Sequence, residues 1–143
     1  ASKGQVEQAA AAGLPTLYLG PDARTDDALS GELNAALASQ EWAALVSPGT
    51  CLEDVAERMG ELAARACRAA PLDGLVIFGG DTARAALRAL GVARIRSCRE
   101  LLPGVPFSII RLGMRELALV SKAGGFGSSG ALLAIRKHLE RGL

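Results

Sequence analysis

Leu75-Val76-Ile77-Phe78-Gly79-Gly80-Asp81-Thr82 is the stretch that decides the fold class of this chain. Its first four residues form a short continuous apolar run, the pattern of a central strand covered on both faces. The glycine pair turns the chain, and Asp81 or Thr82 can cap a helix that turns Leu87 and Leu90 inward and stops at Gly91. Strand, glycine turn and helix together make one βα unit.

The alternation continues on both sides of this unit. Upstream, the pattern predicts a helix over 5–12 stopped by Gly13 and Pro15, a strand over 16–19, a helix capped by Asp26 or Asp27 and running to about Gln40, and a strand over 43–46. Thr50-x-x-Glu53 has capping-box spacing before Leu52, Val55, Ala56, Met59, Leu62, Ala63 and Ala66, which recur at helical intervals up to Pro71 and Gly74. Downstream, residues 95–101 read as a strand or irregular edge, and Pro103-Gly104-Val105-Pro106 as a turn. Strands over 107–112 and 116–121 are joined by a hairpin at Gly113-Met114, and a last helix over 131–141 puts Leu132, Ile135 and Leu139 on one face. Alternating strands and helices predict an α/β protein: a three-layer α/β/α sandwich around a mostly parallel sheet, Rossmann-like, with an antiparallel hairpin near the C-terminus.

Length and composition set the bounds. A chain of 143 residues fits one domain, 1–143, that buries roughly two-thirds of its unfolded surface. Half the residues are apolar but only five are aromatic, so Ala, Leu and Val build the core. The net charge of +1 gives no global field toward nucleic acid or an anionic membrane. Between Arg94 and Lys122 six basic residues face two acidic ones, yet only Phe107 could stack on a base, which favours a solvated basic face or a nucleotide phosphate over nucleic acid. Cys51, Cys67 and Cys98 are odd in number and lack metal-ligand spacing, and no apolar run nears the length of a membrane span. A reducing cytoplasm is the expected compartment, and the absence of an initiator Met fits a piece of a longer protein.

A second glycine-rich loop, Val120-Ser121-Lys122-Ala123-Gly124-Gly125-Phe126-Gly127-Ser128-Ser129-Gly130, also has a strand before it and a helix after it. Glycines let backbone N–H groups approach an anion, and Lys122 adds a point charge, so the segment reads as a phosphate cradle. Residues 125–130 match G-x-G-x-x-G literally, but the dinucleotide fingerprint also needs a following strand with a ribose-binding acid, which would lie past Leu143. Lys122 precedes the glycines, so a Walker A loop fails too. The alternative is that both loops are only tight connections. His138 reads as a surface residue, Trp42 as a core or interface residue, and the Arg94, Arg96, Arg99 alternation as a solvated strand edge.

Three ordered elements resemble the C-terminal nucleotide-binding domain of the four-carbon acid sugar kinase family. Ile77 to Thr82 followed by Ala89-Leu90-Gly91-Val92 is similar to that family's strand-GG-[DE]-T-helix-ALG segment, Leu102 to Pro106 to its P-G-V-P turn, and Leu119 to Gly127 to its K-S-G-N-F-G loop. Ser2-Lys3-Gly4-Gln5-Val6 resembles the polar turn that opens the domain; Ala123 and Gly125 depart from the family's Ser and Asn. The resemblance implies an ATP site built from Ser2, Gly79, Gly80, Asp81, Thr82, Lys122, Gly124, Gly125, Phe126 and Gly127. Mg²⁺ would bridge the phosphates without a metal-ligating set of its own. It also implies transfer of the γ-phosphoryl group to a threonate-, erythronate- or 3-oxo-tetronate-type acid held by an N-terminal domain that supplies the general base. The 143 residues alone would then be inactive, with a homodimer as a further option. Two other readings stay open: a stand-alone, non-catalytic nucleotide-binding or oligomerisation module, and an NAD oxidoreductase needing a further strand beyond Leu143.

Overall fold

The computed structural model describes residues 10, 13–47, 54–122 and 131–142. Among these residues six strands and four helices follow in the order β1 (Thr16–Tyr18), α1 (Asp26–Ser39), β2 (Ala44–Val46), α2 (Val55–Ala69), β3 (Gly74–Phe78), α3 (Gly80–Leu90), β4 (Arg96–Leu102), β5 (Val105–Leu112), β6 (Arg115–Lys122) and α4 (Ala131–Gly142). A 3-10 turn, Ala23–Thr25, precedes α1. The α/β class stands, and the sheet is divided. β1 and β2 pair in parallel, while the larger sheet runs β3-β6-β5-β4 with β3–β6 parallel and the other two pairs antiparallel.

Strand alternation sorts the apolar residues of the larger sheet into two cores. Ile77, Ile110, Leu117 and Leu119 meet Ala64 and Cys67 of α2 and Ala86 and Leu90 of α3. On the other face Val105, Phe107, Ala118 and Val120 surround Ile135 of α4, with Val76, Phe78 and Leu139 packed alongside. Helices therefore cover both faces, giving three layers. A third cluster joins Leu19, Leu29 and Leu62, with Leu17 and Leu45 of the small sheet and Met59 of α2 around it. Helix α2 thus serves both sheets, and its crossing with α3 is tight: a Cβ on Gly60 would lie 2.6 Å from the Ala85 carbonyl carbon and the Ala86 nitrogen.

Local turn chemistry holds where it was read. Gly91 closes α3 in the left-handed region, and Gly104 and Gly113, with φ of 76° and 60°, turn the β4–β5 and β5–β6 hairpins. The four-residue turn at 103–106 is tighter than expected, because Val105 already begins β5. The strand or irregular edge expected over 95–101 is the edge strand β4, Arg96–Leu102, exposed along its first five residues and buried at Leu101. Four expectations change. β3 ends its sheet instead of lying centrally, since among the described residues only β6 pairs with it. Helix α1 begins at Asp26 with Thr25 at the cap position and no side-chain cap, because the Asp26 carboxylate is turned inward. Helix α3 begins at Gly80, so Asp81 and Thr82 lie inside its first turn; Gly79, at φ 106°, bends the chain early enough to take the cap position itself. Helix α2 begins at Val55 after Asp54, which takes the left-handed region (φ 54°). The capping box at 50–53 and most of the helix expected over 5–12 lie outside the described residues.

Candidate functional site

The site follows from the β3–β6 register. The two strands are parallel and Phe78 is level with Lys122, so both end at the same edge of the sheet. The Gly79 amide donates to the Lys122 carbonyl across 2.9 Å. The roots of the two glycine loops, distant in sequence, are therefore joined by one backbone hydrogen bond. Ligands of open α/β sheets bind beyond such carboxyl ends. The third element also arrives here: β5 is antiparallel to β6 with Phe107 opposite Val120, so the Pro103-Gly104 turn lies at this edge and the Gly113-Met114 turn at the opposite one.

Each described residue at this edge has a defined setting. Gly79 and Gly80 leave open space where a Cβ would stand, with no packing atom of the other described residues within 4 Å. Among the described residues packing demands glycine at neither; Gly79 is required by its φ of 106°, and Gly80 by no contact with another described residue. No side chain caps α3, so the N–H groups of its first turn point outward from the cap. Asp81 is exposed and lies 4.0 Å from Arg84, a solvated pair of small energetic weight. Thr82 is half-buried. Lys122 is 5% exposed, and its ammonium stands 5.6 Å from the centroid of the Phe78 ring, an arrangement set by their shared register. The structure thus brings Gly79, Gly80, Asp81, Thr82 and Lys122 to one edge. Ser2, Gly124, Gly125, Phe126 and Gly127 lie outside the described residues. Among the described residues no group of three or more His, Cys, Asp or Glu could hold a metal ion.

Sequence reasoning missed Arg58. Its guanidinium holds Asp26 through two bonds, 3.1 Å from Nε to Oδ2 and 2.7 Å from Nη2 to Oδ1, and Nη2 also donates to the carbonyls of Gly20 and Asp22. Both side chains are nearly sealed from solvent. The hydrogen bond to Asp26 raises the guanidinium's pKa above its ordinary value against the cost of burial, so Arg58 is charged at every ordinary pH. This clamp fixes the segment leaving the carboxyl end of β1. The signal was present: Arg58 shares a helix stripe with Val55 and Leu62, which puts a charge among core positions.

The remaining singled-out residues lie elsewhere. His138 is exposed, as expected. Trp42 is half-buried under the Arg136 guanidinium, 5.9 Å from its ring centroid, beside a cleft of about 210 Å³ that also takes in Pro15 and Gln40. Pro15 precedes β1 and Trp42 precedes β2, so this cleft is at the amino end of the small sheet. Arg96 and Arg99 share a face of β4, because the register slip between Ser97 and Arg99 restores their alternation; Arg96 reaches Glu116 and Arg99 lies over Phe107. Arg94 precedes the strand.

Residues 4–132 match the family described as the nucleotide-binding C-terminal domain. A D-threonate kinase of Bordetella bronchiseptica is 37% identical over 128 residues, spanning 83% of this chain and 32% of that enzyme. A 3-oxo-tetronate kinase of Cupriavidus necator is 42% identical over 52 residues, 36% of this chain. Among solved structures, a domain of unknown function from B. bronchiseptica, crystallised with citrate as a domain-swapped dimer, superposes with a TM-score of 0.83 at 31% identity, covering 96% of this chain and 37% of that one. A Haemophilus influenzae protein at 19% identity and a TM-score of 0.74 shares the fold. The chain spans at most about a third of the length of the curated relatives it matches. It belongs to the nucleotide-binding C-terminal domain family, the C-terminal part of the four-carbon acid sugar kinases that its three motif elements resemble.

Proposed function

We propose that residues 1–143 form the nucleotide-binding domain of a kinase that moves the γ-phosphoryl group of ATP to a hydroxyl of a four-carbon sugar acid, of threonate, erythronate or 3-oxo-tetronate type. The observation that carries this reading is the pairing of Gly79 with Lys122 at 2.9 Å beside Gly80, whose missing Cβ no packing among the described residues explains. A ligand that approaches the backbone closely does explain it. The outward N–H groups of the first turn of α3 would take phosphate oxygens, and Lys122 would offset their charge. Gly124 to Gly127 would close the cradle from the other strand. Mg²⁺ bound with the nucleotide would neutralise charge on the phosphates and keep several waters. Asp81 is the exposed carboxylate nearest that position in sequence.

The names of the curated relatives supply the acceptor class. Phosphoryl transfer rests on positioning and charge stabilisation, so a second domain can present the acid and its general base while this one presents the phosphate. Among the described residues no helix is long and apolar enough to cross a membrane, and the described thiols Cys67 and Cys98 are free, which suits a reducing cytoplasm. A homodimer is part of the proposal, by analogy with the solved relative.

Titration calorimetry with Mg-ATP, ADP and NAD tests the reading. The chain should bind the adenine mononucleotides; NAD binding with no ATP or ADP binding would overturn it. Gly80→Ala should leave the ligand-free melting curve unchanged and weaken ATP binding. Lys122→Ala should weaken triphosphate binding by about 1–3 kcal/mol and spare adenosine. Transfer to a panel of four-carbon acids should require the longer polypeptide, and a longer polypeptide that binds ATP but phosphorylates none of them would favour a non-catalytic module.

A further inference from the structure

The two ends of the four-stranded sheet are built to opposite specifications. β4 carries the devices that keep an edge from pairing: Arg96, Arg99 and Glu100 are exposed, and its register slips between Ser97 and Arg99 and again between Glu100 and Leu102. β3, at the other end, carries none of them. Gly74-Leu75-Val76-Ile77-Phe78 has no charge, no proline and no bulge, and its register with β6 is regular throughout. Leu75, Val76 and Phe78 are nevertheless only half-buried.

The backbone shows what is left over. In a parallel ladder the N–H and C=O of one residue point to the same side, and successive residues alternate. The Asp73 carbonyl accepts from the Ala118 amide and the Gly79 amide donates to the Lys122 carbonyl, each at 2.9 Å, so the odd-numbered residues serve β6. The N–H and C=O groups of Gly74, Val76 and Phe78 therefore face away from β6, where no strand among the described residues meets them. Backbone groups along an apolar strand require partners. The small β1–β2 sheet is not hydrogen-bonded to β3, although α2 packs on both sheets and the β2-α2-β3 connection is of the kind that links parallel strands of one sheet.

We infer that the outer edge of β3 is the docking site for one further strand, an apolar segment of about five or six residues from the part of the polypeptide that precedes this domain. Its orientation is parallel, because the strand beside the edge, β3, pairs in parallel with β6 and the small sheet joined to it through α2 is parallel too. The matched relatives carry the material for it: this chain covers 32% of the D-threonate kinase and 37% of the solved relative, and the family is a C-terminal domain. A parallel strand there makes one sheet of two. It also releases its chain beside Gly79, so the crevice lacks a wall without it. The inference stands on the sheet edge and does not depend on which ligand the crevice takes.

Amide hydrogen exchange resolved by residue tests it, on the 143-residue chain and on the same chain extended through the upstream part of its reading frame. In the shorter chain the Leu75 and Ile77 amides should be protected and those of Val76 and Phe78 should exchange at least about tenfold faster. In the extended polypeptide Val76 and Phe78 should slow to match their neighbours. Unchanged exchange at Val76 and Phe78 in the extended polypeptide would overturn the inference, as would a reading frame with no apolar strand-forming run upstream. Protection in the shorter chain that grows with its concentration would assign the edge to a second copy and overturn the stated occupant.

Discussion

Removing Arg58 should cost this domain more than any surface ion pair could. In the Arg58→Met variant the Asp26 carboxylate, with 12% of its side chain exposed, loses both guanidinium bonds, and the carbonyls of Gly20 and Asp22 lose their donor. Breaking a buried pair by deleting one partner costs about 3–5 kcal/mol, against about 0–1 kcal/mol for an exposed pair. A domain with about 5–15 kcal/mol of stability stays folded at low temperature but loses a large share of it. Asp26→Ala should cost a similar amount by leaving Arg58 charged and unpaired. The double variant should cost less than the sum by about 2–3 kcal/mol, because neither charge then remains buried alone. Urea denaturation of all four proteins, with m-values checked for constancy, measures the cycle. Single-variant losses below about 1 kcal/mol, or strict additivity, would show that the clamp is solvated in solution and refute the reasoning.

Three other outcomes follow from the packing. Gly60→Ala should lower the urea midpoint: overpacking against the Ala85–Ala86 backbone at 2.6 Å costs about 1–3 kcal/mol and the better helix propensity of Ala returns about 1; an unchanged or raised midpoint would mean that α2 and α3 separate freely. Burial pushes the Cys67 thiol above its ordinary range, so the folded state holds its proton to higher pH than the unfolded chain does. Stability is then fully present below the ordinary thiol pKa of about 8.5 and declines as pH rises through it; Cys67→Ala should flatten that decline in denaturation curves between neutral and alkaline pH. Inserting Gly-Ser after Gly113 should leave ATP titrations unchanged, whereas the same insertion after Gly104 should weaken them, because only the second turn lies at the edge shared by Gly79 and Lys122.

What the sequence disclosed and what it hid divide along the distance over which the deciding interaction acts. Gly91, Gly104 and Gly113 mark their turns because left-handed backbone is a local requirement, and Ile135 and Leu139 mark the buried face of α4 because helical spacing is local too. Asp26 was misread as a cap because its true partner is 32 residues away. Asp81 and Thr82 were misread because a glycine at φ 106° can open a helix without a side-chain cap. β3 looked central because composition reports the burial a strand is built for, and not which neighbour supplies it. The candidate site was legible at Gly79, Gly80 and Lys122; that the two loop roots share a hydrogen bond needed the parallel pairing of β3 with β6, strands far apart in sequence.

The way these loop roots are held also bears on the departures from the family motif. β6 is the most enclosed strand of the sheet: Leu117, Ala118, Leu119 and Val120 are each 5% exposed or less, packed between α2 and α3 on one face and α4 on the other. Its end is therefore placed by the core, and Gly79 is bonded to it through main-chain atoms. A phosphate site built on rigid strand ends and backbone donors tolerates changes of side chain better than changes of backbone conformation. Ala123 and Gly125, which replace a hydroxyl and an amide, fall in the first class. In the proposed site, Gly79, whose backbone conformation a side chain would strain, and Gly80, where a side chain would enter open space, are the positions at which substitution should matter most.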